Sequence, residues 1–312
     1  MFILKLFALF LFHKINVLNG VTLDREQLDK WYPEYFEEVY INLSGRNITI
    51  ILNQTFFGLD QLIALSLSNN QLISLDNPFV FDGLNNLEVL WLYKNQLNFI
   101  TENLFSGLLN LRELFLDNND LISIAPDVFK GLSSLTILWI NNNQINQIDA
   151  PQFSSLTNLK ELRLNKNNLS LIKRDLFYNF KDLTQLYLND NQIMKIEPFA
   201  FNGLFSLDYL SLHNNILTNL ENIFSSTNLI RLTKLELYSN KLSNLYQNSF
   251  AGLKQLSVLD LDNNKLISIS ALVFVGLLNL EIVYLAGNPA SAYLPDPVKR
   301  LCSTNPKCEI FI

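Results

Sequence analysis

The fold follows from one stretch of sequence, Leu111-Arg-Glu-Leu114-Phe-Leu116-Asp-Asn-Asn119-Asp-Leu121. Its frame, Leu-x-x-Leu-x-Leu-x-x-Asn-x-Leu, occurs ten times at intervals of 24 or 25 residues. The repeated asparagines are Asn70, Asn95, Asn119, Asn143, Asn167, Asn191, Asn215, Asn240, Asn264 and Asn288. One further unit precedes them, with Arg46 in place of the asparagine. A period of this length predicts a solenoid of about eleven units, each of which buries its apolar side only by stacking on its neighbours.

At the centre of each unit the leucines occupy every second position, as in Leu114-Phe115-Leu116. A period of two indicates a short strand with its leucines directed inward and the residue between them in solvent. Strands from successive units then pair as one parallel sheet. Because the chain turns back after each strand, backbone groups are left inside without a sheet partner. A buried asparagine amide both donates and accepts hydrogen bonds, so the repeated asparagine is interpreted as a structural ladder.

A second motif, Phe-x-Gly-Leu, marks the return half of seven units, as in Phe105-Ser-Gly107-Leu108. Seven of the ten glycines of the chain occupy this position. They are Gly58, Gly83, Gly107, Gly131, Gly203, Gly252 and Gly276. Glycine suits a turn that needs a positive φ or a close backbone approach, and the phenylalanines are expected to stack along the convex side. The motif lacks the lysine of a phosphate-binding loop, so it is interpreted as scaffold.

The combined pattern resembles the typical extracellular class of the leucine-rich repeat family, whose units read LxxLxLxxNxLxxLxxxxFxxLxx. The resemblance covers residues 39–290. It implies an α/β solenoid shaped as a curved horseshoe, with the parallel sheet on the concave face and an irregular or short helical convex side. It also implies a role in binding proteins or other macromolecules. The chain departs from the animal extracellular pattern because cysteines are missing from its N-terminal cap and reduced in its C-terminal cap.

Four segments are predicted: a signal peptide over residues 1–20, an N-terminal cap over 21–38, the repeats over 39–290 and a C-terminal cap over 291–312. Residues 1–12 are apolar apart from Lys5, and the signal segment ends at the small residue Gly20. This apolar run is too short to cross a bilayer of roughly 30 Å. The alternative is a buried strand, since Leu18 is large for a position before a cleavage site. We therefore predict a secreted, extracellular protein that has no membrane span.

Both caps are predicted to contain a short helix. Asp24 and Gln27 begin the first, whose residues Leu28, Trp31 and Tyr32 cover the first unit. The second is predicted over residues 298–302, after an Asp-Pro pair.

The chain has two cysteines, Cys302 and Cys308. In an exported protein they are interpreted as a disulfide that closes the C-terminal cap. A free thiol and a metal site are the alternatives. Two thiols without nearby histidines do not complete a zinc site, so no metal is expected.

Four Asn-x-Ser/Thr motifs are candidate N-glycosylation sites: Asn42, Asn47, Asn53 and Asn168. Three of them lie within the first unit and the turn that follows it. Glycans there would cover the N-terminal end of the solenoid, and Asn42 is predicted to point to the concave side.

The charge of the chain bears on its partners. The net charge is −6, and removal of the signal segment leaves 21 basic against 29 acidic residues. An acidic chain is poorly suited to bind nucleic acid or an anionic membrane surface. We therefore expect neither as a partner.

Binding residues are expected where side chains leave the strands on the solvent side. In the units near the centre of the array, the residues between the two strand leucines form a row that we call the concave ridge: Trp91, Phe115, Trp139, Arg163 and Tyr187. With strands about 4.8 Å apart, these side chains are predicted to stack. With the neighbouring tyrosines, the predicted ligand-binding residues are Trp91, Tyr93, Phe115, Trp139, Arg163, Tyr187 and Tyr209.

Exposed aromatic residues combined with arginine are typical of protein-binding hot spots. The alternative is that neighbouring rings on a sheet only stabilise one another, at roughly 0.2–1 kcal/mol per pair.

Other polar groups on the concave strands give weaker signals. Glu236, Asp260 and Asp262 are predicted to form an acidic patch, which would be a weak cation site, a site for a basic partner or a solvated face. His213 is the one histidine left after signal removal, and it is interpreted as an exposed surface residue. Since no nucleophile, base and acid recur at an assignable spacing, we expect no enzyme activity, catalytic residue or cofactor.

The sequence thus predicts a secreted recognition protein that binds an extracellular protein or peptide on its concave face, as in adhesion, receptor-like or immune recognition. The alternative is a structural component of the extracellular matrix that acts by self-association, with a homodimer as the simplest case. Inhibition of a secreted hydrolase would use the same concave face.

Overall fold

The computed structural model describes residues 20–33, 38–224, 228–247, 249–293, 295 and 309–312. Short strands dominate the secondary structure. They are β1 (Val21–Leu23), β2 (Tyr40–Asn42), β3 (Ile48–Ile51), β4 (Ala64–Ser66), β5 (Ser74–Leu75), β6 (Val89–Trp91), β7 (Phe99–Ile100), β8 (Glu113–Phe115), β9 (Ile137–Trp139), β10 (Glu161–Arg163), β11 (Leu171–Ile172), β12 (Gln185–Tyr187), β13 (Lys195–Ile196), β14 (Tyr209–Ser211), β15 (Lys234–Glu236), β16 (Val258–Asp260), β17 (Ile282–Tyr284) and β18 (Glu309–Phe311).

Helix is confined to short segments. One α-helix, α1, spans Arg25–Trp31, and 3-10 helices span Ala150–Phe153, Ala271–Phe274 and Pro289–Tyr293. No helix in the described ranges has the length and apolar character needed to cross a membrane.

One parallel sheet of twelve strands runs along the solenoid, in the order β18-β17-β16-β15-β14-β12-β10-β9-β8-β6-β4-β2. The strand leucines are in register, so that Leu114 pairs with Leu90 on one side and Leu138 on the other. These side chains are fully buried and form the core together with the rest of the repeated leucines. The predicted parallel-strand solenoid is confirmed. Its twelfth strand, β18, comes from the C-terminal cap and was not predicted.

The repeated asparagines form the predicted ladder behind this sheet. Asn143 donates through Nδ2 to the carbonyls of Leu116 at 3.0 Å and Ile140 at 3.1 Å, and its Oδ1 accepts from the amide of Leu121 at 3.0 Å. All ten asparagines are buried. Each one therefore joins its own turn to that of the preceding unit through backbone groups that the sheet leaves unpaired.

The return halves of the units pack through stacked phenylalanines. The rings of Phe177 and Phe201 lie 6.1 Å apart and those of Phe201 and Phe224 lie 5.9 Å apart, in nearly parallel planes. Gly203 shows why its motif needs glycine, since its φ is +87° and a Cβ would lie 2.2 Å from the carbonyl oxygen of Tyr178. The same position at Gly107 has no positive φ and no neighbour within 4 Å of an added Cβ.

The N-terminal cap covers the first unit, as the sequence predicts. Asp24 caps α1 by accepting a hydrogen bond from the amide of Gln27 at 2.7 Å, and Leu28 is fully buried. The Arg46 guanidinium lies 4.5 Å from the centre of the Trp31 ring, so this side chain extends the cap where the ladder asparagine is absent. Strand β1 was not predicted, and it pairs with β3.

Three predictions concern residues outside the described ranges. They are the signal segment before Gly20, the second cap helix over residues 298–302, and the disulfide between Cys302 and Cys308.

Candidate binding surface on the concave sheet

The sheet aligns the five residues of the concave ridge on adjacent strands. Their Cα atoms are register partners in the order Trp91, Phe115, Trp139, Arg163 and Tyr187, from β6 to β12. Because alternate residues of a strand point to opposite faces, their side chains leave the sheet on the side away from the leucine core. The structure therefore brings these predicted residues together.

Each side chain of the ridge makes a ring or cation–π contact with the next. Trp91 and Phe115 stack at 6.2 Å between ring centres, and Phe115 meets Trp139 edge to face at 4.8 Å. The Cζ atom of Arg163 lies 3.8 Å from the centre of the Trp139 ring and 4.9 Å from that of Tyr187. The guanidinium thus joins the two aromatic halves of the ridge by cation–π contacts.

Two tyrosines lengthen this row. Tyr209, a predicted residue, lies 5.2 Å from Tyr187 between ring centres. Tyr40, which sequence reasoning missed, meets Trp91 edge to face at 6.0 Å. Its ring reaches across the intervening strand β4 because that strand carries only Ala64 and Ser66 on this face. Tyr93 is half-buried beside the row, and no ring contact among the described residues joins it to the ridge.

The prediction that Phe115 is exposed is wrong. Only 8% of this residue is accessible, whereas Trp91, Trp139, Tyr187 and Tyr209 are half-buried. The two tryptophans on the neighbouring strands are larger and close over the smaller ring. Phe115 therefore supports the tryptophans and presents little surface of its own to a ligand.

Hydrogen bonds fix the orientation of Trp139, Arg163 and Tyr187. One carboxylate oxygen of Glu161 accepts from Trp139 Nε1 at 3.0 Å and from Arg163 Nε at 2.6 Å. The Tyr187 hydroxyl donates to Gln185 Oε1 at 2.8 Å. Burial raises the pKa of Tyr187, so the phenol stays protonated and able to donate. The ridge is held in place before any ligand arrives.

Glu236 is the centre of a second cluster beside the ridge. It accepts from the Tyr209 hydroxyl at 2.6 Å, pairs with Lys234 Nζ at 2.7 Å and lies 3.2 Å from His213 Nδ1. Burial opposes ionisation of Glu236, but the hydrogen bonds from His213, Lys234 and Tyr209 outweigh it and lower its pKa to about 2. Burial and the bond to Glu236 raise the pKa of Tyr209.

The predicted acidic patch is therefore wrong in the case of Glu236. Its side chain is only 12% exposed and its charge is balanced by Lys234. Asp260 and Asp262 remain half-buried on the same face, and burial raises the pKa of both carboxyl groups. Within the described ranges, no three His, Cys, Asp or Glu side chains are grouped so that they could hold a metal ion.

The prediction that His213 is an exposed residue is also wrong. Its side chain is 13% exposed and its ring stacks on Tyr238 at 4.2 Å. Ser211 Oγ and Glu236 Oε2 both approach the same ring nitrogen, Nδ1, at 2.8 and 3.2 Å. A catalytic triad needs an acid hydrogen-bonded to the ring nitrogen opposite the hydroxyl. Here Asp190 lies 3.9 Å from His213 Nε2, beyond hydrogen-bond distance, and the Ser211 hydroxyl group is buried. This cluster orients side chains of the concave face.

The four candidate glycosylation sites differ in exposure. Asn53 and Asn168 are exposed, whereas Asn42 and Asn47 are half-buried. Asn42 lies on β2, at the N-terminal edge of the sheet, and both its backbone N–H and its carbonyl are hydrogen-bonded to the Tyr32 hydroxyl. A glycan on Asn42 would therefore stand at one end of the concave face.

Comparison with known proteins finds a matching family model and a similar curated protein. A family model described as "Leucine rich repeat" matches residues 72–121, 110–169, 157–217 and 230–289. The curated protein "Probable U2 small nuclear ribonucleoprotein A'" of Caenorhabditis elegans is 34% identical over 85 residues. That match covers 27% of this chain and 32% of the relative, so the chain spans about a third of the length of that protein.

Solved structures resemble nearly the whole solenoid. A crystal structure of a TLR13–ssRNA13 complex matches 80% of this chain with 28% identity and a TM-score of 0.75, although the match spans only 36% of the TLR13 chain. The leucine-rich repeat domain of APL1B matches 86% of this chain and 75% of its own, with 22% identity and a TM-score of 0.66. The APL1B likeness shows the fold alone. Neither the family model nor these relatives indicate an enzyme family.

Proposed function

The chain belongs to the leucine-rich repeat family, and we propose that it is a secreted recognition protein that binds a protein or peptide through its concave ridge. The observation that carries this proposal is the continuous row of aromatic side chains joined by Arg163. Tryptophan, tyrosine and arginine dominate the binding energy of protein interfaces because they bury large areas with few rotatable bonds.

The rigidity of the ridge supports this proposal. Trp139 and Arg163 share Glu161 as hydrogen-bond acceptor, and Tyr187 is tied to Gln185. Side chains that are already ordered lose little conformational entropy when a partner binds, which leaves more of the contact energy for affinity.

The charges of the sheet favour a protein over a nucleic acid. Its twelve strands contain two basic residues, Arg163 and Lys234, and each forms an ion pair with a glutamate of its own strand. The same strands contain five acidic residues: Glu113, Glu161, Glu236, Asp260 and Glu309. Binding a nucleic acid requires many phosphate contacts to basic side chains. One structural neighbour was solved as a complex with ssRNA13, so a single-stranded RNA is a control ligand in the experiments below.

A capture experiment tests the proposal. The secreted protein and its Trp91→Ala/Trp139→Ala variant are used to capture partners from extracellular fluid. The matched control is Phe99→Ala/Tyr178→Ala, which removes two exposed aromatic residues that lie outside the twelve-stranded sheet. Circular dichroism and thermal unfolding establish that the variants are folded. We expect a protein partner that the parent and the control retain and the ridge variant loses. Equal capture by all three proteins would refute a role for the ridge.

Secretion is part of the same proposal and has its own test. Expression of the full chain in a eukaryotic secretory cell should yield a protein in the medium that begins at Val21. The exposed Asn53 and Asn168 should carry glycans, and peptide mapping of the unreduced protein should show the Cys302–Cys308 disulfide. Retention of an intact, unglycosylated chain inside the cell would refute the extracellular location.

A structural role by self-association is the second candidate. It is favoured by apolar residues outside the sheet that are largely exposed, such as Ile267 at 73% and Leu278 at 83%. Sedimentation velocity on the parent and on the ridge variant separates the two proposals. Association that persists in the Trp91→Ala/Trp139→Ala variant, together with failure to capture another protein, would favour the matrix role.

A further inference from the structure

We propose that Arg163 forms a subsite for a single carboxylate of the partner, whose apolar side chains pack on Trp91 and Trp139 beside it. This inference rests on the proposed function of the concave ridge, and it adds the chemistry of what the ridge selects.

The guanidinium of Arg163 is held in one orientation, but only one of its nitrogens, Nε, donates a hydrogen bond within the described part of the chain. It lies between the rings of Trp139 and Tyr187, and its Nε donates to Glu161 at 2.6 Å. Within the described part of the chain, no hydrogen bond involves its terminal nitrogens Nη1 and Nη2. The side chain is 33% exposed. Its terminal N–H groups are therefore free to bind an incoming anion.

The geometry of its donors distinguishes Arg163 from Lys234, the other basic residue of the twelve-stranded sheet, whose side chain is 44% exposed. Both side chains pair with a glutamate two residues away on the same strand. However, Lys234 and its partner Glu236 belong to a cluster that also includes Tyr209, Ser211 and His213. The Arg163 pair leaves one edge of the guanidinium open. A planar guanidinium binds a carboxylate through two parallel hydrogen bonds, an arrangement that a lysine ammonium does not reproduce.

The surroundings of Arg163 favour one carboxylate over a chain of phosphates. Glu161 is in direct contact with Arg163, and Glu113 lies on β8 at the same strand position. Asp117 is close enough for the Arg163 charge to act on its carboxyl group. A chain of phosphates would bring further negative charges close to these acidic side chains, which would repel them. A single carboxylate contacts only the guanidinium. Trp139 on the adjacent strand β9, and Trp91 on β6 two strands further along, accept apolar groups. The best match is an apolar peptide segment with an aspartate, a glutamate or a C-terminal carboxylate.

Peptide selection with a matched control provides the test. Two random peptide libraries, one with free and one with blocked carboxyl ends, are selected on the parent protein. Selected peptides are retained if they fail to bind the Trp91→Ala/Trp139→Ala variant. Their Kd is then measured against Arg163→Gln and against Arg112→Gln. Arg112 is a suitable control because its Nε also approaches a glutamate, Glu88 at 3.5 Å, but it lies outside the concave ridge.

We expect the retained peptides to carry a carboxylate next to large apolar residues. Arg163→Gln should raise their Kd about tenfold or more, while Arg112→Gln leaves it unchanged. Replacing the peptide carboxylate by its amide should weaken binding to the same degree, with no further loss on Arg163→Gln. Arg163→Lys keeps the charge without the planar donors and should recover part of the affinity. Binders from both libraries would indicate an internal acid, and binders from the free-end library alone a C-terminal carboxylate.

Other outcomes separate this inference from the proposed function. Peptides that need Trp91 and Trp139 but bind Arg163→Gln normally would overturn the carboxylate subsite and leave the proposed function standing. If neither library yields a peptide that depends on the tryptophans, the inference fails, and the proposed function fails with it only if the parent and the ridge variant also capture the same proteins. A single-stranded RNA oligonucleotide that binds the parent and is lost on Arg163→Gln would replace the carboxylate by phosphate and overturn the inference.

Discussion

Replacing Asn143 by alanine would test whether the asparagine ladder stabilises the fold through the backbone groups that it satisfies. The substitution removes three buried hydrogen bonds, to the carbonyls of Leu116 and Ile140 and from the amide of Leu121. The two carbonyls keep a second donor, Asn119 Nδ2 for Leu116 and Asn167 Nδ2 for Ile140, each at 3.0 Å. The Leu121 amide alone is left without a partner, at about 1–3 kcal/mol, and the two other lost bonds add about 0.5–1.5 kcal/mol each, which gives about 2–6 kcal/mol in total. Local relaxation and water reduce this loss. We expect the free energy of unfolding to fall by about 2–4 kcal/mol.

Urea unfolding followed by circular dichroism measures the loss, and hydrogen exchange locates it. Because solenoid stability is a sum over units and their interfaces, the damage should be centred on the units around Asn143. In particular, the Leu121 amide should lose its protection, since Asn143 Oδ1 is its acceptor. Asn110→Ala is the control. Asn110 is exposed and makes one side-chain bond, to the Asn85 carbonyl at 2.8 Å, so its loss should cost less than about 0.5 kcal/mol.

A nearly isosteric substitution separates lost hydrogen bonds from lost volume. Asn143→Asp keeps the shape but replaces the donor by an oxygen that faces two carbonyls. At neutral pH it should destabilise at least as much as alanine does. The reasoning would be refuted if Asn143→Ala and Asn110→Ala cost the same, or if the Leu121 amide stayed protected in Asn143→Ala.

Three other predictions follow from single positions. Gly203→Ala should cost about 2 kcal/mol or more in urea unfolding because its Cβ would meet the Tyr178 carbonyl at a positive φ, whereas Gly107→Ala should be nearly neutral; equal costs would contradict the assigned role of the turn. Phe115→Ala should lower the free energy of unfolding by about 3 kcal/mol, as for a core residue, and a negligible loss would show that the ring is not packed. Folding lowers the pKa of Glu236 from 4.5 to about 2, so its ionised form adds stability that is complete above about pH 4.5 and is lost as the pH falls toward 2. Glu236→Gln should therefore cost up to about 3 kcal/mol at neutral pH and progressively less in acid, and a difference that does not depend on pH would contradict this account.

The repeat register explains how much of this molecule is predictable. A fixed spacing assigns each residue of a unit to a position, and units then stack in register. Trp91, Trp139 and Tyr187 are therefore neighbours in space although they are dozens of residues apart in sequence. The ladder is predictable for the same reason. The spacing fixes which side chains share a column, and therefore which chemistry lies on the concave face.

Register does not fix how side chains of unequal size share that face. Phe115 is buried because of the rings on either side, and Tyr40 reaches Trp91 because the strand between them has small residues. Likewise, Glu236 and His213 lie at positions that were predicted to face solvent, but their side chains are largely buried among polar partners. These outcomes depend on rotamers and on contacts between columns, which a one-dimensional pattern does not contain.

The ends of the array were less predictable because the repeat pattern fades there. Strand β18 has no ladder asparagine and consists of Glu309, Ile310 and Phe311 alone. It is recognisable only by its pairing with β17, where Phe311 stacks on Tyr284 at 5.0 Å. The alternation of Ile310 with its two neighbours was the only signal in the sequence. Three residues are too few to distinguish a strand from a tail.

The fold does not require the aromatic side chains of the ridge. This observation bears on the alternative in which neighbouring rings on the sheet only stabilise one another. Strands β4 and β14 keep the same register with Ser66 and Ser211 where the ridge has rings. Each aromatic pair adds roughly 0.2–1 kcal/mol, less than the loss expected for one ladder asparagine. A sheet held by its leucines and asparagines therefore has little need for tryptophans that remain partly in water. Because half-buried aromatic rings also promote aggregation, their concentration beside Arg163 supports the proposal that a ligand covers them.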